Sequence, residues 1–182
     1  MVPAGYMAKK VEIRPEWLKA YAVRNVYSVS GCTSEYFCDY IHHWKHNGFW
    51  LFDSPAAIKS VAAAESISLA DHDIFYYEVY ERQFDDETKV WEPFEPEKSF
   101  KTAIEPPQLK ELMGFDVVTF SARTSPECSP LSCNHLAETI SVNQHCLLQT
   151  LEQAIRLVEV GAFNNSEPGP FRVFAVYKPN AA

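Results

Sequence analysis

The sequence predicts an α+β domain built on a mixed or mainly antiparallel sheet of about five to six strands, with two long helices and one or two short ones packed mainly on one face. Three observations carry this prediction. The runs Ile74 to Tyr80 and Phe171 to Tyr177 are rich in aromatic and β-branched residues, the composition of strands. Segments with helical spacing lie between such runs instead of forming one block. Finally, Asp85-Asp86-Glu87-Thr88 is a short polar turn between two strand-like runs, and a hairpin demands antiparallel neighbours where a doubly wound sheet demands crossovers.

The bounds are those of one domain. The chain has 182 residues, of which 47% are hydrophobic and 14% aromatic, and the aromatics are spread along its whole length. That is enough to bury a core without disulfide or metal staples. We place the domain at residues 10–179. Residues 1–9 are expected to be a flexible extension, because Met7-Ala8-Lys9-Lys10 reads like a second natural start and leaves Met1 to Tyr6 without a role. Residues 180–182 are expected to be a disordered end. No internal repeat or low-complexity tract is visible.

Composition also narrows the setting. No apolar run reaches the length of a membrane span, and the first residues lack the apolar centre of a signal peptide, so a cytoplasmic protein without a membrane partner is expected. Five cysteines, an odd number, fit a reducing compartment. A net charge of −8, from 16 basic and 24 acidic residues, speaks against nucleic acid, whose binders carry a basic stripe.

The elements follow in order. Val23 to Ser30 alternates like a strand and is stopped by Gly31. Thr33 or Ser34 then caps a helix whose apolar positions are Phe37, Tyr40, Ile41 and Trp44, closed by Asn47-Gly48. Phe49 to Phe52 suits a short buried strand, and Ser54-Pro55 opens a second helix running to about Glu65. The strongest strand signal, Asp73 to Glu81, is expected to form a hairpin with Lys89 to Phe94. Prolines 93, 96, 106 and 107 then keep the chain out of any central strand. Gln108 to Met113 has the residues of a short helix closed by Gly114, and Phe115 to Ser121 those of a strand. Asn143 is expected to cap the last long helix, with Leu147, Leu148, Leu151, Ile155 and Val158 on one face and Gly161 at its end. Phe171 to Tyr177 closes the sheet.

No phosphate loop, dinucleotide fingerprint, Gly-x-Ser-x-Gly elbow, His-Glu-x-x-His or Cys-x-x-Cys is present. Three weaker constellations remain. The loop holding Cys128, Cys133 and His135, followed by His145-Cys146, contains the thiolate and imidazole ligands that zinc prefers. Cys128, Cys133 and His135, with His145 or Cys146 as the fourth ligand, are a candidate zinc set, set against the plain alternative of small buried thiols beneath a proline-braced loop. In the same stretch, a helix beginning at Asn143 puts Cys146 at its third position. There the helix dipole favours a thiolate, which makes Cys146 a candidate nucleophile with His145 or His135 as its base; Cys133 is the other candidate catalytic thiol, and an inert buried thiol is the plain alternative. On the first helix, Glu35, Asp39, His42 and His46 form one polar stripe opposite the apolar face, which is equally the composition of a solvated helix surface.

The third constellation is the hairpin. Glu78, Glu81, Asp85, Asp86, Glu87, Glu92, Glu95 and Glu97 face only Arg82 and Lys89 in this stretch, so most of the net charge lies here. Tyr80, Phe84, Trp91 and Phe94 are interleaved with the acids, and aromatic anchors in a charged rim make a protein-binding patch. Asp85, Asp86, Glu87 and Glu92 with these aromatics are the candidate contacts for a basic protein, as in an inhibitor or antidote. A charged edge guarding against aggregation is the structural alternative. The function expected from sequence is therefore a non-enzymatic protein-binding domain, with a thiol-dependent enzyme or zinc protein as the alternative.

Overall fold

The computed structural model describes residues 1–31, 47, 49–94, 103–120 and 127–180. The elements run β1 (Val2–Lys10), β2 (Glu12–Ile13), β3 (Asn25–Val26), α1 (Pro55–Ala64), β4 (His72–Val79), β5 (Arg82–Asp85), β6 (Val90–Pro93), β7 (Lys110–Thr119), α2 (Leu151–Glu159) and β8 (Phe171–Pro179). A 3-10 turn lies at Leu136–Glu138. β1, β4, β8, β5 and β6 lie side by side in a six-stranded sheet whose sixth member, β7, pairs with β8. The described pairings are antiparallel, and β2 and β3 form a separate ribbon. The expected α+β class and mainly antiparallel sheet are thus present, with two helices and one short 3-10 turn among the described residues.

Several expectations need correction. Residues 1–9, set aside as an extension, form most of β1, where Ala4, Tyr6, Met7 and Ala8 are buried against β4. Small residues give little strand signal, and their pairing with β4 supplies what local propensity lacks. Of Val23 to Ser30 only Asn25–Val26 pairs. Gln108 to Met113 is not helical: β7 runs from Lys110 to Thr119 against β8, and Gly114, at φ +143°, marks a bulge. The hairpin exists, but its first arm is β5, because the chain leaves β4 at Val79 and resumes at Arg82. α2 is capped by Thr150, whose hydroxyl accepts from the Gln153 N–H, so Asn143 and Cys146 precede the helix. Asn180 is tied in through its N–H to the Leu109 carbonyl at 3.1 Å. The helix expected from Thr33 or Ser34, with its Glu35, Asp39, His42 and His46 stripe, lies outside the described residues, as do Glu95 and Glu97.

The strands and helices contain a repeat that the sequence hides. β1–α1–β4 and β7–α2–β8 are two copies of one unit. Each opens with a strand bulged at a glycine of positive φ, Gly5 or Gly114. In each, an asparagine side chain donates to the carbonyl just before that glycine: Asn47 to Ala4 at 2.8 Å, Asn143 to Met113 at 2.7 Å. Each asparagine Oδ1 accepts from the backbone two and four residues on. Trp50 and Cys146 both have positive φ, Phe52 and Leu148 bridge to Tyr6 and Phe115, and Ser54 and Thr150 cap the two helices. The ladders agree residue for residue, since Tyr6 faces Tyr76 as Phe115 faces Ala175, and Lys9 faces Asp73 as Val118 faces Arg172.

The copies meet in the β4–β8 pair. Tyr77 pairs with Val176, its own counterpart, and the flanking pairs Tyr76 with Tyr177 and Glu78 with Ala175 exchange equivalent positions. This is the isologous contact of a two-fold dimer, here within one chain.

That register also fixes the faces. Counting in twos along β1, β4, β8 and β7, through the pairs Lys9 with Asp73, Tyr77 with Val176 and Phe174 with Asp116, puts Lys9, Asp116 and Arg172 on the same side of the sheet. All three are buried.

Candidate functional site

The thiols and imidazoles of the 127–148 segment do not converge. Cys146 is buried beside Leu147 and Leu148, and burial, with Asp116 nearby, pushes its thiol up to about 12. His145 stacks flat on Tyr27 with ring centroids 4.3 Å apart, and its Nδ1 lies 2.6 Å from Asn25 Oδ1. Burial lowers its pKa, which disfavours the protonated ring. His135 is exposed, packs on Trp17 and lies 3.6 Å from Glu138 Oε1. Cys133 Sγ sits 3.9 Å from Ser30 Oγ and 3.8 Å from Ser132 Oγ, while Cys128 pairs through its backbone with Thr119. Among the described residues no three His, Cys, Asp or Glu side chains gather closely enough to hold a metal ion.

The expected activation of Cys146 fails for a geometric reason: α2 starts at Leu151, so no helix N-terminus faces the thiol. At a pKa of about 12 only about one thiol in 10⁵ is ionised at pH 7. We expect Cys146 to resist iodoacetamide in the native protein and to react once unfolded, as read by peptide mass spectrometry. Equal rates in the two states would overturn this placement.

The hairpin aromatics turn inward. Phe84 is buried, and Tyr80 and Phe84 pack edge-on against Trp91 with centroids 5.4 and 5.2 Å away. The Trp91 indole N–H donates to Glu159 at 3.0 Å, which ties β6 to the end of α2. Phe94 packs against Phe49 and Phe120. Two of the acids are structural: Asp85 Oδ1 accepts from the Glu87 and Thr88 N–H groups in the turn, and Asp86 accepts from the Gly169 N–H. Glu87 and Glu92 are exposed on the outer side, although Glu92 also accepts from Gln83 Nε2 at 2.6 Å.

Sequence reasoning missed the residues that stand out most in the structure. Asp116 is fully buried and accepts from Ser129 Oγ at 2.6 Å, the Val29 N–H at 2.9 Å and Ser28 Oγ at 3.1 Å. Burial nevertheless outweighs these bonds and pushes its carboxyl up to about 6. Lys9 reaches the same segment from β1, donating to the carbonyls of Val29 at 2.9 Å and Ser30 at 2.5 Å. Residues 28–30 are thus clamped between an acid on one copy of the unit and a base on the other.

Arg172 is the third buried charge. Its Nη2 donates to the Tyr80 carbonyl at 3.2 Å, but Nε and Nη1 are buried without a partner. The guanidinium carbon stands 3.6 Å from the centre of the Phe94 ring and 5.5 Å from those of Phe49 and Phe120. Burial lowers its pKa to about 9. Gln83 Oε1, on the neighbouring strand β5, is likewise buried and unpartnered.

The repeat supplies an internal control for these charges. The counterpart of Asp116 is Met7, and the counterpart of Lys9 is Val118, so each of the two positions is charged in one copy and apolar in the other. A scaffold that does not require a buried charge seldom gains stability from one. One signal could have found Asp116 and Arg172: each is the lone charge in an otherwise apolar run, Phe115-Asp116-Val117-Val118 and Phe171-Arg172-Val173-Phe174. Comparison with protein-family models, with curated proteins and with solved structures returned no match.

Proposed function

We propose that the protein is a non-enzymatic binding domain that recognises a basic protein segment along the outer side of the β5–β6 hairpin. The observation that carries this reading is the division of labour within the hairpin. Its aromatics are spent on the core and on α2, while Glu87 and Glu92 stay exposed around β6, the strand that ends the sheet. An end strand offers unpaired backbone groups to an incoming chain, and acids beside it favour a chain carrying lysine or arginine. The aromatic anchors expected from sequence play no part in this version of the contact. The state of Cys146 and His145 supports a non-enzymatic reading, since burial raises the pKa of the thiol and the imidazole is already stacked and bonded.

The test is titration of the protein with an extended lysine-rich peptide, followed by calorimetry at two salt concentrations. The double variant Glu87→Lys with Glu92→Lys is expected to bind roughly ten-fold more weakly, about 1.4 kcal/mol, because exposed pairs contribute several tenths of a kcal/mol each and reversal adds repulsion. Raising the salt should weaken the wild type and leave the variant nearly unchanged. Equal affinity of the two proteins would sink the proposal.

A further inference from the structure

The two copies of the unit differ where the helix returns to the sheet, and there the first copy holds a cavity. The helix ends themselves match. Ser66 and Gly161 both take positive φ, at 58° and 73°, and the residue after each donates back into its helix: the Ile67 N–H to the Ala62 carbonyl at 2.8 Å, the Ala162 N–H to the Leu157 carbonyl at 3.0 Å. The next residue is Ser68 in one copy and Phe163 in the other. The strand starts match as well, since Lys10 pairs with His72 as Thr119 pairs with Phe171. In the second copy Phe163 and Phe171 are buried against each other, with ring centroids 6.0 Å apart. In the first copy Ser68 and His72 stand at those two positions, and both line a cavity of about 410 Å³.

That volume lies within the roughly 300–1,000 Å³ of small-molecule sites. Ile67, which packs against the cluster around Phe52 and Phe75, gives the cavity an apolar wall, and Lys10, Glu65 and Asp71 supply its charges. Glu65, Ser68 and Asp71 are exposed, so the cavity is open to solvent. Two carboxylates against one ammonium favour a cation, whereas an anion drawn to Lys10 would also face both acids. We propose that this cavity is the receptor for a small primary amine carrying one aromatic ring. The ring takes the place that Phe163 holds in the other copy, beside the His72 imidazole where that copy has Phe171, and the ammonium meets Asp71 and Glu65. The site lies at β1, the opposite end of the strand order from the β5–β6 hairpin, so its fate does not depend on the proposed basic partner.

The test uses the full chain, with phenethylamine, ethylamine and hydrocinnamate as probes and calorimetry and melting temperature as readouts. Phenethylamine is expected to bind saturably and raise the melting temperature; ethylamine, which lacks the ring, and hydrocinnamate, which reverses the charge, are expected to do neither. Ser68→Phe with His72→Phe copies the second unit's phenyl pair into the first and should abolish phenethylamine binding. Asp71→Asn with Glu65→Gln alters only exposed positions and should weaken it roughly five-fold, because two exposed pairs of several tenths of a kcal/mol each are lost. If the phenyl variant does not fold, this carboxamide variant alone decides. Glu87→Lys with Glu92→Lys should bind phenethylamine as the wild type does, which separates this site from the hairpin. The assignment is overturned by the absence of saturable phenethylamine binding, by equal binding of ethylamine or hydrocinnamate, or by wild-type affinity in the folded phenyl variant or in the carboxamide variant. Loss of binding in the hairpin variant would overturn it too, by placing the amine on the hairpin acids.

Discussion

Asp116→Ala is expected to cost about 4 kcal/mol, because it strands two buried hydroxyls and one backbone N–H that now donate to a single carboxyl. A loss of that size is a large share of the stability of any single domain. The milder Asp116→Asn separates this packing cost from ionisation. The native carboxyl titrates near 6 against an ordinary 3.8, so its folded pKa is raised. Below about pH 3.8 the group is protonated whether folded or not, and its contribution is fully present. As pH rises through 6 the native state must give up a proton that the unfolded chain has already lost, and the contribution falls by about 3 kcal/mol. Asparagine has no proton to lose. The stability of wild type minus that of Asp116→Asn, from urea unfolding at a series of pH values, should therefore fall by about 3 kcal/mol between pH 4 and pH 7.5. A flat or rising difference would show that the carboxyl does not titrate with a raised pKa.

How much of this was legible in the sequence depends on whether local chemistry or pairing decides the structure. Ser54-Pro55 opens α1 as the residues announce, since a hydroxyl cap and a proline at the first turn act locally. β4 and β8 follow their aromatic and β-branched composition. β1 and the first half of β7 do not: Ala4-Gly5 and Leu112-Met113-Gly114 carry little strand propensity, and their structure comes from the ladders with β4 and β8. The repeat escaped notice because its signature lies in two glycines, two asparagines and two helix caps, while most packed positions differ between the copies. Tyr77 faces Val176, and Met7 and Lys9 correspond to Asp116 and Val118.

The candidate site divides along the same line. The cysteines and histidines of the 127–148 segment drew attention because their chemistry is conspicuous by residue type, yet the fold spreads them over Tyr27, Trp17, Ser30 and the apolar residues Leu131, Val142 and Leu148. The hairpin acids stand out in the sequence as a charge concentration, but the direction of Phe84 and Trp91 follows from the pairing of β5 with β6 and from α2. Asp116 and Arg172 were written into their strands as single charges in apolar runs. Their importance shows only when register places them, with Lys9, on one buried face.

The two bulge glycines give the second large effect, and they test the repeat itself. At Gly5, with φ +128°, a Cβ would stand 2.6 Å from the Phe52 carbonyl oxygen and 2.9 Å from Leu51 Cβ and Asn47 Nδ2. At Gly114, with φ +143°, it would stand 2.7 Å from Leu147 Cβ and the Leu148 carbonyl oxygen and 2.9 Å from Asn143 Nδ2. Both clashes are with the chain segment that bridges back to the strand, and both glycines hold a backbone conformation that alanine avoids. Gly5→Ala and Gly114→Ala should each cost about 4 kcal/mol in denaturant unfolding, the sum of backbone strain and a displaced bridge. Gly161 provides the contrast. Its φ is +73°, and an added Cβ meets chiefly the side-chain end of Asn164, which can turn away, so Gly161→Ala should cost only about 1 kcal/mol. The prediction fails if either bulge variant is as mild as Gly161→Ala. A severe loss at one bulge and a slight one at the other would mean that the halves share a shape without sharing the interactions that hold it.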